Sequence, residues 1–231
     1  MGSIYVVRHG QAAFGTDDYD RLTDIGFTQA RLLGEYFTTR KLRFDAVFTG
    51  TLLRQQQTAR AVLQGGAGLA DGLVEEHFSG LNEYDPEAIL LAHTGRLPSP
   101  AEAAARRDPA VVREHFRLLR DALIAWAEDR IQPQGMLAFR AFQEGAVAAL
   151  IEARQRFPDG HVLIVSSGGP IAAMVAAALA APPVTAVELN LRIRNCSLTE
   201  FTATPRRHSL LTFNAVPHLD SQADGSLITY A

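Results

Sequence analysis

Short apolar runs, rich in β-branched and aromatic residues, alternate with longer amphipathic segments along the 231 residues. The runs at 4–7 and 161–165 predict buried strands. Further strands are predicted at 44–48, next to the acidic stretch at 75–77, and at 189–193, 197–202 and 209–213. Helices are predicted at about 23–40, after Thr51, at about 136–157 and up to Ala181. This alternation predicts one α/β layer sandwich with a mostly parallel sheet.

The stretch from about 85 to 135 has a different pattern, with helical pieces separated by prolines and no predicted strand. Asp108-Pro109 opens one helix with a cap residue and a proline in the first turn. Apolar residues follow at helical spacing and form one stripe: Val112, Phe116, Leu119, Leu123 and Trp126. We predict a helical insert that covers the ligand edge of the sheet within a single domain of residues 1–231.

Composition narrows the class of protein. The net charge of -3 and pI of about 6.2 give no general attraction to nucleic acid or an acidic membrane. The longest apolar stretch, at 171–181, is shorter than the roughly 20 residues of a membrane crossing. The single cysteine, Cys196, excludes an internal disulfide framework and suits a reducing cytosol. Since Met1 leads almost directly into a strand, we expect no signal peptide and a cytoplasmic protein.

Candidate chemistry begins where the first strand ends, at Arg8-His9-Gly10. Ligands of open α/β sheets bind outside the carboxyl ends of strands. An arginine can hold a phosphate through two N–H groups, and a neutral histidine can attack phosphorus. Arg-His-Gly closing the first strand resembles the signature of the histidine phosphatase superfamily, which includes the cofactor-dependent phosphoglycerate mutases. The resemblance implies that His9 is the nucleophile and that Arg8 binds phosphate.

A second stretch, Thr-Gly-Thr-Leu-Leu-Arg-Gln-Gln-Gln-Thr-Ala at 49–59, resembles the family motif Ser-x-Leu-x-Arg-x-x-x-Thr-Ala. The match implies a second phosphate-binding arginine at Arg54. A cation near the start of a helix opposes the helix dipole unless an anion binds there. Leu22-Thr23-x-x-Gly26-x-x-Gln29-Ala30 is also typical of the family's first helix. Thr23 is expected to cap that helix and to touch the phosphate.

The proton donor is expected in the acidic stretch at 73–78. There Leu73-Val74-Glu75 resembles the family's leucine, any residue and glutamate, which implies that Glu75 is the catalytic acid. The leaving oxygen needs a proton, and the same group can then activate water. Glu76 remains a rival donor and His77 a possible phosphate neighbour. Alternatively, the paired glutamates lie on a solvated turn.

The stretch Val-Leu-Ile-Val-Ser-Ser-Gly-Gly at 162–169 departs from the family pattern. It stands where the family carries Val-Ser-His-Gly, so the expected second histidine falls on Ser167. Gly168 and Gly169 still begin a helix whose N–H groups can bind an anion, and Gly168 is therefore a predicted phosphate contact together with Ser167. A compensating histidine could come from His77, His208 or His218.

Other chemistries are less favoured. A serine hydrolase would use Ser167 as its nucleophile, but Val165 stands where Gly-x-Ser-x-Gly needs its first glycine. Asp17, Asp18 and Asp20 lie in a polar loop whose spacing does not match a calcium loop, which predicts a solvated loop. No histidine and cysteine spacing indicates zinc.

The resemblance implies a three-layer α/β/α sandwich with a mostly parallel sheet and a helical insert. It also implies a phosphatase that needs no metal or organic cofactor and acts on a small phosphorylated substrate. We favour phosphatase over mutase, because residues 11–24 lack the mutases' longer substrate-binding segments. The alternative is a protein that binds a phosphorylated ligand or inorganic phosphate with weak or no turnover, because Ser167 replaces a histidine. Neither nucleic acid nor a membrane is an expected partner.

Overall fold

The strands form one mostly parallel sheet, in the order β3-β2-β4-β1-β5-β6. The structure, a computed structural model, describes residues 2–13, 20–69, 72–97, 109–220, 222 and 225–230. β1, β2, β3 and β4 are parallel, β5 is antiparallel to β1, and β6 is antiparallel to β5. The strand bounds are β1 Gly2–Arg8, β2 Ala46–Thr49, β3 Val74–His77, β4 His161–Ser166, β5 Leu198–Ala203 and β6 His208–Ala215.

Helices cover both faces of the sheet and give the three layers that the sequence predicts. Side chains of β1 alternate between the faces, with Ile4 and Val6 in one apolar cluster and Tyr5 and Val7 in the other. The helix bounds are α1 Asp24–Thr39, α2 Leu53–Gly65, α3 Pro86–Thr94, α4 Pro109–Ala127, α5 Phe139–Arg156, α6 Gly168–Ala178, α7 Pro183–Asn190 and α8 Pro217–Asp220. Helices α1 and α2 pack on the Tyr5 face, and α3 to α7 pack on the Ile4 face.

The predicted insert contains α3 and α4, and its apolar stripe faces inward as expected. Leu119, Leu123 and Trp126 are buried in the same cluster as α5 and α6. The insert thus completes the core on one face of the sheet. Asp108, the predicted cap of α4, lies outside the described residues.

One local prediction was wrong, and one alternative does not hold. The predicted strand at 189–193 is the end of α7 and the turn after it. Pro182-Pro183 starts a helix there, because proline suits the first helical turn, and Ala186 and Val187 become buried at helical spacing. The acidic residues Glu75 to His77 form strand β3 instead of a turn. Among the described residues, no helix combines the length and apolar character needed to cross a membrane.

Candidate active site

The site lies where β1 and β4 end beside each other. Arg8 pairs with Ser166 in the parallel register, so the next residues, His9 and Ser167, are neighbours at the carboxyl edge. The His9 backbone N–H donates to the Ser166 carbonyl over 2.9 Å. His9 is 2% exposed and Ser167 is 0% exposed. Two of the predicted site residues are therefore brought together in a buried position.

The imidazole of His9 is held in one tautomer. Nδ1 lies 2.8 Å from the Gly10 carbonyl oxygen, and Nε of Arg54 donates to Nε2 over 3.2 Å. An arginine N–H can only donate, so Nε2 carries a lone pair and Nδ1 carries the proton. Burial, together with the positive charges of Arg8 and Arg54, holds the pKa of His9 well below its ordinary value. The ring is therefore neutral with its lone pair on Nε2, and an electrophile that reacts there must take the place of the Arg54 N–H.

Arg54 lies in the first turn of α2 and is buried, at 6% exposure. Its Nη1 donates to Oδ1 of Asp20 over 2.8 Å, while its Nε faces His9. Asp20 also accepts hydrogen bonds from the backbone N–H groups of Leu53, over 2.9 Å, and Arg54, over 3.4 Å. The positive end of the α2 dipole and the Arg54 charge are therefore both offset by the Asp20 carboxylate.

The predicted description of the polar loop therefore needs a correction. The Asp20 carboxylate lies beside His9's neighbour Arg54, at the start of α2 and 34 residues away in sequence. Asp17 and Asp18 lie outside the described residues. Within the described part of the chain, no group of three or more His, Cys, Asp or Glu side chains is placed to hold a metal ion.

Arg8 connects the site to the C-terminal segment. Its Nη1 donates to the carbonyl oxygens of Ile193 and Tyr230. The segment around Thr229 is also fixed by Asn195, whose backbone N–H donates to the Thr229 carbonyl over 2.8 Å. Arg8 thus holds backbone at the edge of the site while its charge acts on His9.

Ser167 is placed at the start of α6 without capping it through its side chain. Its Oγ accepts a hydrogen bond from Nε2 of Gln55 over 2.8 Å, and the same amide nitrogen donates to the Leu81 carbonyl over 2.8 Å. A hydroxyl that accepts from Gln55 still has its own proton to donate. Its described hydrogen bond is to an amide and not to an imidazole, which gives no support to a serine hydrolase.

Glu83 is the acid that the structure brings to this edge. The half-buried residue follows the 3₁₀ turn Ser79–Leu81, and its carboxylate accepts the Gly169 N–H over 3.1 and 3.2 Å. Burial raises the pKa of Glu83, against the opposing effects of the Gly169 N–H, Arg54 and Arg8. A raised carboxyl pKa is what a proton donor near neutral pH needs.

A glycine is required where Glu83 meets α6. A Cβ atom at Gly169 would lie 2.2 Å from Oε1 of Glu83 and 2.8 Å from ring atoms of Tyr84. Only a residue without a side chain lets the carboxylate approach the helix N-terminus this closely. Gly169, the second glycine of Ser-Ser-Gly-Gly, is therefore required for the position of the Glu83 carboxylate.

Glu75, the predicted proton donor, is placed elsewhere. It is exposed in the middle of β3, paired with Val47, and β3 is separated from β1 by β2 and β4. Three strand spacings amount to roughly 14 Å. Glu75 therefore lies away from His9 in this structure, and its role as proton donor stays a prediction. The chain continues past β3 to Glu83, eight residues later, whose carboxylate contacts the start of α6.

The rival and compensating groups also lie apart from His9. Glu76 forms an ion pair with both terminal nitrogens of Arg156, at 2.6 and 2.8 Å, which lowers the pKa of Glu76. His77 contacts Thr49 on the outer part of the sheet, with 2.7 Å between Nδ1 and Oγ1. His208 pairs with Ala203 at the opposite edge of the sheet from His9. His218 is buried against Tyr36 of α1.

Thr23 caps α1 as predicted. Its Oγ1 accepts the Gly26 N–H over 3.1 Å and donates to Oε1 of Gln11 over 2.8 Å. The cap therefore ties α1 to the loop that follows His9. A contact of Thr23 with phosphate stays a prediction.

Sequence reasoning missed Glu83, Asp20 and Gln55. The described structure shows why: each reaches the site through a contact between parts of the chain that are far apart in sequence. The sequence did contain one indication of nearby acidic residues. A helix that starts with Gly168-Gly169 and an arginine in the first turn of α2 are both stabilised by an anion.

Comparison with known proteins places this arrangement in a family. A model of the histidine phosphatase superfamily (branch 1) matches residues 4–96 and 102–216. The chain belongs to the histidine phosphatase superfamily. Superfamily membership agrees with the α/β/α fold and with Arg8-His9-Gly10 at the end of the first strand.

Curated relatives of this superfamily member include two 2,3-bisphosphoglycerate-dependent phosphoglycerate mutases. The protein from Methylobacterium sp. (strain 4-46) is 35% identical over 101 residues, covering 37% of this chain and 48% of the relative. The protein from Azorhizobium caulinodans is 34% identical over 100 residues, with the same coverage. The chain spans about half the length of the curated relatives it matches.

Solved structures share the whole fold. Phosphoserine phosphatase from Entamoeba histolytica, in a mutant complex with phosphoserine, has a TM-score of 0.65 at 18% identity and covers 95% of this chain and 100% of its own. Mycobacterial glucosyl-3-phosphoglycerate phosphatase has a TM-score of 0.61 at 22% identity, covering 92% and 98%. Phosphoglycerate mutase from Bacillus anthracis has a TM-score of 0.61 at 18% identity, covering 94% of each chain. These neighbours, phosphatases and a mutase, are enzymes.

Proposed function

We propose that the protein is a phosphomonoester phosphatase that works through a phosphohistidine formed on His9. The observation that carries the proposal is the state of the His9 ring: buried, neutral, with its proton on Nδ1 and its lone pair on Nε2, next to Arg54. The substrate of this site is a small phosphorylated molecule, and the products are its alcohol and inorganic phosphate.

In the first step Nε2 of His9 attacks phosphorus, and the bond from phosphorus to the ester oxygen breaks. Glu83 gives its proton to the leaving oxygen and becomes a carboxylate. Arg54, Arg8, the Ser167 hydroxyl and the Gly168 N–H stabilise the charge on the phosphoryl oxygens. Glu83 takes the role that the sequence predicted for Glu75, because it combines a raised pKa with a place at the start of α6.

In the second step water attacks the phosphohistidine and gives a proton to the Glu83 carboxylate. The bond between phosphorus and Nε2 breaks, phosphate leaves, and both His9 and Glu83 return to their starting protonation states. The same residue acts as acid and then as base, so one titrating carboxyl group serves both steps.

The experiment is hydrolysis of an aryl phosphate without added metal by the wild type, His9→Ala and His93→Ala. His93 is an exposed histidine of α3 and serves as the matched control. We expect turnover by the wild type and His93→Ala, and a loss of about 10⁴-fold or more in His9→Ala. Rapid acid-free quenching should trap a phosphorylated wild-type protein that His9→Ala does not form.

A second candidate function is binding of a phosphorylated ligand without efficient turnover. It is favoured by the neutral Ser167 hydroxyl, which stands where the family motif has an imidazole. Equal inertness of the wild type and His9→Ala, with inorganic phosphate still bound, would favour this candidate. Conversion of 3-phosphoglycerate to its 2-phospho isomer, in the absence of net hydrolysis, would instead favour a mutase like the curated relatives.

A further inference from the structure

Asp20 and Arg54 form an ion pair next to His9, on the Nε2 side of its ring. Oδ1 of Asp20 lies 2.8 Å from Nη1 of Arg54, while Nε of the same guanidinium donates to His9. The Arg54 side chain is 7% exposed and that of Asp20 is 43% exposed. The guanidinium is thus fixed between a carboxylate at the rim and an imidazole inside the site.

Asp20 binds the start of α2 as well as the guanidinium. Its Oδ2 accepts the Leu53 N–H over 2.9 Å, and its Oδ1 is 3.4 Å from the Arg54 N–H. Leu52, the residue before α2, provides no side-chain cap, so this carboxylate from a distant loop is the cap. A single group therefore offsets both the helix dipole and the arginine charge, and it fixes the arginine relative to the backbone that carries it.

A free arginine side chain has many rotamers, and fixing it has an entropic cost. Two hydrogen bonds at different nitrogens of a planar guanidinium restrict its plane as well as its position. We propose that Asp20 is a positioning residue of the reaction: it holds Arg54 so that Nε faces Nε2 of His9, where the phosphoryl group is transferred. This inference rests on the proposed function, since it assigns a role in the same reaction.

The opposite role for Asp20 makes an opposite prediction. A carboxylate that competed with the substrate for Arg54 would weaken phosphate binding, and its removal would tighten it. Nε, the nitrogen facing His9, is not the nitrogen that Asp20 occupies, which favours positioning over competition. The sign of the change in affinity separates the two roles.

The test uses Asp20→Ala, Asp20→Asn, Arg54→Ala and the double variant Asp20→Ala/Arg54→Ala. Asp45→Ala is the control, because Asp45 is also an exposed carboxylate that accepts a backbone N–H, that of His161 over 2.8 Å, but at the opposite edge of the sheet. Three quantities are measured: the affinity for inorganic phosphate, kcat/KM on an aryl phosphate, and the titration of the His9 ring by NMR.

We expect Asp20→Ala to weaken phosphate binding by about tenfold, the loss of one charge-assisted contact made by a displaced Arg54. Asp20→Asn keeps a single acceptor oxygen, which can serve Nη1 of Arg54 or the Leu53 N–H but not both, so it should recover only part of the affinity. Asp45→Ala should match the wild type. In the Arg54→Ala background, Asp20→Ala should cause little further loss, because Asp20 acts through Arg54.

The His9 titration tests the same role without turnover. Arg54 is one of the charges that lower the pKa of His9, so freeing it in Asp20→Ala should raise that pKa toward its ordinary value. A wild type without hydrolysis would remove the proposed function yet leave this readout intact. Equal or tighter phosphate binding by Asp20→Ala, or a full effect of Asp20→Ala in the Arg54→Ala background, would overturn the proposal. Asp20→Asn keeps the volume of the side chain and one acceptor oxygen, and so covers the case in which Asp20→Ala does not fold.

Discussion

Nε of Arg54 donates to Nε2 of His9 across 3.2 Å, so the proposed nucleophile faces the cation that we propose to hold the phosphoryl group. The contact fixes the tautomer of His9 and disfavours its protonation, since a second proton on the ring would have to displace the arginine. Burial and the charge of Arg8 act in the same direction and lower the pKa of His9. His9 therefore becomes neutral at a lower pH than a solvent-exposed histidine does.

The pH dependence of kcat/KM follows from two opposite shifts. His9 must be neutral, and because its pKa is lowered, activity is lost only when pH falls through that low value. Glu83 must be protonated, and because its pKa is raised, activity is lost as pH rises through that raised value. We expect a bell-shaped profile with its optimum on the acid side of neutral.

The measurement is kcat/KM of the wild type and Glu83→Gln on one alkyl phosphate, whose leaving group needs a proton, from acid to alkaline pH. In Glu83→Gln the alkaline limb that belongs to Glu83 should disappear, while the acid limb of His9 and the titration of the substrate's phosphate, with a pKa near 6, should remain. A falling alkaline limb of the same position in both proteins would show that Glu83 is not the titrating donor.

The identity of the proton donor is tested by leaving-group dependence. Glu83→Gln should lower kcat by roughly 10²-fold or more on an alkyl phosphate, whose alkoxide needs a proton. The loss should be much smaller on a nitrophenyl phosphate, whose leaving group is stable as an anion. Glu75→Gln changes an exposed position on β3, so its kcat on both substrates should be close to that of the wild type. A selective loss on alkyl phosphates in Glu75→Gln instead would return the role to Glu75.

Sequence patterns predicted the sheet, the layers and most of the residues at the ends of β1 and β4. Those features depend on local alternation and on short motifs, so Arg8, His9, Arg54 and Ser167 could be read directly. Patterns of this kind give no information about which distant side chain completes a helix end. The starts of α2 and α6 are bound by Asp20 and Glu83, across 33 and 86 residues of sequence.

The misplacement of the acid has the same cause. A motif match aligned Glu75 with the family's glutamate, but the path of the chain after β3 decides which carboxyl group reaches the site. The 3₁₀ turn at Ser79–Leu81 leads the chain across the strand ends, where Oγ of Ser166 donates to the Leu81 carbonyl over 2.7 Å. The sequence pattern does not indicate that Glu83 lies at the start of α6, because that contact joins residues 86 positions apart.

The Ser167 hydroxyl is expected to be a phosphate donor of moderate strength. Ser167→Ala should weaken inorganic phosphate binding by about fivefold, the equivalent of ~1 kcal/mol for one neutral hydrogen bond. Ser166→Ala is the control, because Ser166 is equally buried and its hydroxyl donates to the Leu81 carbonyl instead. Calorimetric titration with phosphate checks both. Equal weakening in the two variants would indicate general damage to the start of α6 and not a lost contact from Ser167.

A substitution at Gly169 tests whether the position of the Glu83 carboxylate matters, without changing Glu83 itself. A methyl group at Gly169 would lie 2.2 Å from Oε1 of Glu83, and that carboxylate would have to move away from the helix start. We expect Gly169→Ala to destabilise the fold by about 1–3 kcal/mol, as overpacking does, and to lower kcat on alkyl phosphates. Gly145→Ala in α5 is the control, since its Cβ would meet only the Gly80 Cα at 3.5 Å and helix propensity favours alanine.

Phosphate affinity separates the two effects of Gly169→Ala. Because Arg54 and Ser167 do not depend on the position of Glu83, a displaced acid should reduce kcat on alkyl phosphates and leave the dissociation constant of inorganic phosphate nearly unchanged. Thermal unfolding gives the loss of stability, and activity is then compared well below the midpoint. If Gly169→Ala retains the wild-type kcat on alkyl phosphates while losing stability, the contact between Gly169 and Glu83 serves the fold and not proton transfer.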